Sequence, residues 1–515
     1  MFIKIALLVI FFGIMVAVGI YCRRSATDVN GFVLGGRSVG PWLTAFAYGT
    51  SYFSAVVFVG YAGQFGWKYG IAATWAGIGN AILGSLIAWA VLGRRTRVMT
   101  QHLDSATMPD FFEKRFGSKN LKLAASAVTF VFLIPYTASL YNGLSRLFAM
   151  AFDIDYSICV IVMAVLTGVY VIAGGYMATA INDFIQGIIM LFGIVAVIAA
   201  VLNSQGGFMA AIASLAEVND PSTSSIPGVF ASFFGPDPAN LLGVVVLTSL
   251  GTWGLPQMVQ KFYAIKSEKS IKTGMIVSTF FAFIVAGGCY FLGGFGRLFD
   301  VDVASEGYDA IIPTMLSGLP DVLIAIVVIL VLSASMSTLS SLVLTSSSTL
   351  TLDFIKGTVI KSMDEKKQLK WIRALIVLFI LISVVMAILQ YRSNVTFIAQ
   401  LMGVSWGALA GAFLAPFLYG LYWKKVSTTA CAVNFVFATV FMLANVLFKS
   451  SFPALLQSPI NAGAFCMIAG LIIVPIVSLF TRKPNSALVE DVFSCYGKKV
   501  VVSQSEALGE HHDVI

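Results

Sequence analysis

Charge is what this chain has least of. Of its 515 residues only 11% are Asp, Glu, Lys or Arg, against about 25% in an ordinary soluble domain. Apolar residues make up 58%, and the mean hydropathy is +0.91. Surface-to-volume scaling forbids a soluble fold that hides so much apolar surface, so lipid must be the solvent for most of the chain. Histidine is nearly absent. His102, His511 and His512 all lie outside the apolar runs, which excludes a His-based catalytic or metal site within a membrane. The six cysteines (Cys22, Cys159, Cys289, Cys431, Cys466, Cys495) form no CxxC pair, and the first five lie in or at the ends of apolar runs. They read as small buried hydrophobes rather than disulfides or metal ligands. No soluble catalytic or sensory segment is evident, and nothing points to nucleic acid despite the net charge of +8.

Long apolar runs are abundant instead. A crossing helix needs roughly 20 apolar residues for a ~30 Å hydrocarbon core. Thirteen runs qualify: 2–22, 41–66, 71–93, 122–149, 156–176, 182–202, 239–260, 273–296, 321–350, 373–391, 395–421, 427–448 and 459–481. The first is followed by Arg23 and Arg24 and has no small-x-small cleavage site, so it is expected to be a retained helix rather than a signal peptide. Placing the N-terminus outside puts 26 of the 32 Lys and Arg residues in cytoplasmic segments, and loop 203–238 has none. This alternation predicts a multi-pass plasma-membrane protein, N-terminus outside and C-terminus cytoplasmic. Lys261 is counted with the cytoplasmic segments. The stretch 109–116 is expected to lie along the membrane surface, and the tail after Lys483 to be short, polar and mobile.

Polar and helix-breaking residues at mid-span are costly and therefore informative. In 41–66 they are Tyr48-Gly49-Thr50-Ser51-Tyr52-Phe53-Ser54; in 239–260 they are Thr248 to Gln257, with Gly251, Gly254 and Pro256. Glycine and proline weaken a helix, and proline also removes a backbone donor. Both segments read as helices broken halfway across, unless their small residues serve helix packing. If 41–202 and 239–421 are five-span units, an odd span number gives them opposite orientations. Breaks in matching positions of inverted repeats point to a midplane binding site. The predicted fold is therefore an all-α polytopic membrane protein of about 13 transmembrane helices with a 5+5 inverted-repeat core and two broken helices. Its parts are an N-terminal helix and linker (1–40), the first repeat (41–202), an extracellular loop (203–238), the second repeat (239–421), two C-terminal helices (422–483) and a cytoplasmic tail (484–515).

The run 321–350 is rich in serine and threonine. Ala334, Ser337, Thr338 and Ser341 fall at i, i+3, i+4 and i+7, on one helical face. Neutral hydroxyls joined by carbonyls of an unwound neighbour suit a monovalent alkali cation, whereas a divalent ion wants carboxylates. The alternative is that these hydroxyls bond their own i−4 carbonyls. Asp183, after Ala173-Gly174-Gly175, reads either as an interfacial residue or as part of an ion path.

Leu34-Gly35-Gly36-Arg37-Ser38, Ala173-Gly174-Gly175 with Asn182-Asp183 and Gln186, Gly254-Leu255-Pro256-Gln257 and Met336-Ser337-Thr338-Leu339-Ser340 occur in order on these spans. With the run of spans, they make the chain from about residue 30 to 480 resemble the sodium/solute symporter family, which includes bacterial proline and pantothenate symporters and sodium–glucose transporters. The resemblance implies a sodium site formed by carbonyls of Thr50, Phe53 and Ala334 and hydroxyls of Ser337 and Thr338. It implies a second sodium position at Asp183, Ser337, Ser340 and Ser341, and a gating role for Arg37. The solute site is expected between the breaks, with Ser54, Gln64, Tyr136, Ser139, Thr248, Thr252 and Trp253 as candidates. Where proline symporters carry an aspartate and a tryptophan on the first broken helix, this chain has Tyr52 and Val56; Tyr52–Ser54 is closer to the pantothenate-type pattern. The expected function is sodium-coupled symport of a small organic solute, an amino acid or carboxylate, with no cofactor beyond the coupling ion. A proton-coupled symporter, a membrane sensor on the same scaffold and a polytopic enzyme are the alternatives. The tail is too short for a sensor's output domain, and the sparse intramembrane acids disfavour an enzyme.

Overall fold

A computed structural model describes residues 2–152, 155–360, 362–393 and 398–497. Lys361, Lys498 and Lys499 of the charge tally, and the tail from 498 to 515, lie outside the described residues. Among the described residues the chain is helical without a β-strand, apart from three isolated bridges. Large apolar side chains such as Ile161 (50% exposed), Phe192 (76%), Phe280 (63%) and Leu443 (45%) point outward from the helices. Such a surface is stable only against lipid.

By length and apolarity ten described helices qualify as membrane spans, or eleven if the bent pair Pro238–Gly254 and Pro256–Ala264 is one span. Thirteen were expected. Two helices are unusually long, Val56–His102 with 47 residues and Tyr156–Ser204 with 49. A straight helix of the second length would run ~74 Å, more than twice the hydrocarbon core. Each contains one glycine in a left-handed conformation, Gly70 (φ 61°) and Gly175 (φ 53°, ψ −144°), where a Cβ would strike the Phe230 carbonyl at 2.0 Å and the Phe32 carbonyl at 2.7 Å.

Both expected breaks are present. The first helix runs Pro41–Tyr52, passes through Phe53 in an extended conformation (φ −95°, ψ 122°), and resumes at Val56. The second runs Pro238–Gly254, passes through Leu255 (φ −78°, ψ 122°), and resumes as Pro256–Ala264 with a bend of 46°. Pro256 explains the second break, since the residue before a proline is pushed out of the helical region. The glycines act differently from expectation. Gly49 is helical, and a Cβ there would lie 2.5 Å from the Phe281 ring; at Gly251 it would lie 2.5 Å from Trp406. They permit close packing.

Three placements go beyond the sequence reading. The helix Met108–Phe116 is packed against protein: Phe111 and Phe112 are fully buried against the rings of Phe413, Phe417 and Phe435. The tail forms a helix, Ser486–Ser494, with Val492 and Cys495 buried and the Tyr496 hydroxyl donating to the Leu421 carbonyl at 2.8 Å. Lys261 is 2% exposed, inside the fold.

Candidate functional site

The first break leaves backbone groups without helical partners, and the serine-rich helix Asp321–Thr349 supplies them. The Ala55 N–H donates to Ser335 Oγ at 3.2 Å, while Ser54 Oγ accepts from the Val56 N–H at 3.3 Å. On the carbonyl side, Ser337 Oγ lies 3.1 Å from Thr50 O and 3.0 Å from Ala334 O. Thr338 Oγ1 lies 3.1 Å from each of Thr50 O, Phe53 O and Ala334 O. All five residues expected at the sodium site are buried and meet at one point. Thr338 contacts its own i−4 carbonyl and also crosses to the neighbouring helix.

The proton inventory decides what this cluster can do. Five oxygen–oxygen contacts are made, yet a hydroxyl carries one proton and a carbonyl none. Two contacts at most are hydrogen bonds at any moment; the others set lone pair against lone pair. Three carbonyls and two hydroxyls therefore present a surplus of negative potential inside an apolar bundle, and a cation relieves it. The set contains no carboxylate, so it suits a monovalent ion better than Ca²⁺ or Mg²⁺.

Asp183 and Ser341 come together, but around a lysine. The Lys261 Nζ lies 3.0 Å from Ser341 Oγ, 3.6 Å from Asp183 Oδ2 and 5.2 Å from the Tyr176 ring centroid. Ser341 Oγ is also 3.0 Å from Ser51 Oγ on the first broken helix. Ser340 turns away, donating to the Ser337 carbonyl at 2.9 Å. Asp183 is fully buried within the protein.

The expected solute residues divide into two groups. Thr252 Oγ1 donates to Gly84 O or Ser249 O (2.9 Å each), Trp253 Nε1 to Leu83 O (2.9 Å), Ser139 Oγ to Tyr136 O (2.7 Å) and Thr248 Oγ1 to Val244 O (2.9 Å). Ser54 holds the first break. These donors are committed to backbone. The Tyr136 hydroxyl and Gln64 Oε1 are buried without a hydrogen-bond partner among the described residues. The same holds for the hydroxyls of Tyr61 and Tyr290, Asn80 Oδ1 and Trp406 Nε1, which the sequence reading missed. Tyr290 adjoins Asn80 and Thr248, Tyr61 neighbours Tyr290 and Tyr136, and the rings of Tyr136 and Trp406 meet edge-on at 5.9 Å. A sequence signal existed: amphipathic aromatics at mid-span need a polar partner.

At the end of the molecule that carries Arg37, the broken helices are stitched together. Val39 N donates to Ala264 O and Lys266 N to Val39 O, both at 3.1 Å. The buried Arg37 guanidinium donates to Ser105 O at 2.7 Å and to Thr100 O and Tyr263 O at 3.4 Å. Five buried carbonyls, those of Val39, Thr100, Ser105, Tyr263 and Ala264, would lose a charged donor or a tie across the two helices if this contact opened.

A bundle with two interrupted helices and a cation-ready oxygen cluster at one interruption defines a secondary transporter core. The sodium:solute symporter family profile matches residues 32–434, and the chain belongs to that family. It is 28% identical over 504 residues to a sodium/proline symporter 2 of Staphylococcus saprophyticus, and 29% identical over 513 residues to a sodium/proline symporter of Staphylococcus aureus. Each alignment covers 94% of both chains. Among solved structures it is similar in fold to a Na+-coupled sialic acid symporter (TM-score 0.72, 17% identity, 94% of this chain and 99% of that one). Mhp1, a nucleobase-cation-symport-1 family transporter, gives a TM-score of 0.50 at 13% identity, over 90% of this chain and 98% of that one.

Proposed function

We propose that the chain is a sodium-driven symporter that takes up a small organic solute by alternating access across the plasma membrane. One observation carries the reading: the proton-deficient oxygen cluster of Thr50, Phe53, Ala334, Ser337 and Thr338. A sodium ion held there joins the first broken helix to the serine-rich helix and favours the arrangement that completes the solute site. Such coupling is typically worth 1–3 kcal/mol and is reciprocal, so sodium and solute each tighten the other's binding. The membrane potential adds ~2.3 kcal/mol per charge per 100 mV, which makes uptake of a neutral solute electrogenic. Residues 41–202 and 239–421 act as the two inverted repeats, with the N-terminus outside.

The solute is an amino acid or a small carboxylate. Support comes from relatives named as proline symporters, from the sialic acid symporter of the same fold, and from the uncharged polar groups of Tyr61, Asn80, Tyr136, Tyr290 and Trp406. The test is a thermal-shift screen of amino acids including proline, monocarboxylates, sugars and vitamins, each in NaCl and in choline chloride, followed by uptake into proteoliposomes. A substrate should raise the melting temperature more in sodium than in choline. Uptake that runs equally well on a pH gradient without sodium would replace this reading with a proton-coupled one.

A further inference from the structure

Lys261 is an unusual residue to find where it is. A lysine ammonium is rarely buried without a partner, and this one is 2% exposed, on the second half of the second broken helix. It is surrounded by what a monovalent cation seeks: a carboxylate oxygen of Asp183 at 3.6 Å, the Ser341 hydroxyl at 3.0 Å and the face of Tyr176. Asp183 is itself fully buried, and neither of its carboxylate oxygens has a hydrogen-bond partner among the described residues. Among the described residues its charge is answered by the lysine alone.

We propose that the Lys261 ammonium is a tethered counter-ion that fills the second cation position of this transporter, so that the chain carries one sodium ion per cycle. The inference rests on the symport reading and specifies its stoichiometry. Charge balance is the physical reason. Asp183 and Lys261 sum to zero, and a sodium ion added between them would leave an uncompensated positive charge in an apolar interior, which is strongly disfavoured. Space points the same way, because the Ser341 hydroxyl already faces the ammonium. The lysine differs from a free ion in one respect. It is covalently part of the second broken helix, so it cannot be released to the cytoplasm and adds no transported charge. It can still communicate with the transported ion: Ser341 bridges Lys261 to Ser51, the residue next to Thr50 of the sodium site.

The experiment is equilibrium binding of ²²Na⁺ to the purified full-length chain, with NaCl as the only ligand. Lys261→Ala should bind one more sodium ion per chain than the unaltered protein. The added ion should disappear in the double variant Asp183→Asn/Lys261→Ala and persist in Thr338→Ala/Lys261→Ala. If Lys261→Ala is not monodisperse, Lys261→Gln removes the charge while leaving a polar side chain, one atom shorter, in its place, and should gain the same ion. An unchanged stoichiometry in a folded Lys261 variant overturns the proposal, as does a second sodium already present in the unaltered chain. An unaltered chain that binds no sodium, yet gains one on Lys261→Ala, would sink the sodium site at Thr338 and leave the role of Lys261 standing.

Discussion

The backbone amide of Ala55 donates to the hydroxyl of Ser335, 280 residues away in sequence, at 3.2 Å. That single contact shows how the first helix comes to be interrupted. Neither proline nor glycine lies at the turn, which occupies Phe53, Ser54 and Ala55. The interruption persists because a neighbouring helix accepts what the turn frees.

Replacing Ser335 with alanine should therefore leave a buried N–H without an acceptor, at a cost of about 1–3 kcal/mol. A lowered melting temperature in both sodium and choline is the expected outcome. If Ser335→Ala melts like the parent chain, the amide has another acceptor and the account of the turn is wrong.

Thr338 separates hydroxyl chemistry from packing. Thr338→Ser keeps the oxygen, whereas Thr338→Val keeps the shape and discards it. The sodium concentration for half-maximal binding should rise by about tenfold or more in the valine variant, the equivalent of ~1.4 kcal/mol, and only modestly in the serine variant. Equal effects from the two substitutions would mean that Thr338 does not ligate the ion.

Arg37 is the test of the stitch between the broken helices. Its planar fork serves several carbonyls at once, a geometry that lysine does not reproduce. Both Arg37→Lys and Arg37→Gln should loosen the contact to Thr100, Ser105 and Tyr263. Thr345 is buried on the serine-rich helix and donates to Gln260 Oε1 on the second broken helix at 2.7 Å; a cysteine placed there, with the native cysteines removed, should then react with maleimide roughly tenfold faster, a shift of about 1.4 kcal/mol in the open population. Unaltered labelling would assign Arg37 a purely structural role.

In the segment 203–238, the Asp220 carboxylate accepts from the hydroxyls of Ser222 and Thr223 and pairs with Arg297 at 3.0 Å. The hydroxyls first, and then the guanidinium, hold its titration well below the usual carboxylate range. Since the folded value lies below the unfolded one, the stabilisation is complete above about pH 4–5 and is lost as the pH falls through the folded value. Asp220→Asn should lower the melting temperature by a constant amount from pH 8 to 5, and the gap should narrow at more acid pH. A gap that widens on acidification would contradict the pairing.

Much of the site was readable in the residue order. The hydroxyl stripe of Ala334, Ser337, Thr338 and Ser341 follows from helical periodicity alone, and Pro256 marks the second break wherever the chain is placed. The role of Gly49 and Gly251 was not readable, because a glycine in a helix looks the same whether it weakens the helix or admits a neighbour's ring. Thr252 and Trp253, expected at the solute site, donate to the carbonyls of Gly84 and Leu83, contacts that residue order does not show. Asn80 carries no local pattern that reveals its unmet hydrogen bond, and for Tyr61, Tyr290 and Trp406 the one signal was an amphipathic aromatic ring at mid-span.

Sequence alone determined the solvent, the helical class and the positions of the costly polar residues, because each depends on composition or on short-range periodicity. The ligands of the proposed sodium site came from the family resemblance of its motifs. Only the tertiary structure decided which oxygens meet, and that Lys261, counted with the cytoplasmic charges, is buried beside Asp183. The reason is that an ion pair's partner is set by how helices far apart in the chain pack. Residue order does not encode that distance.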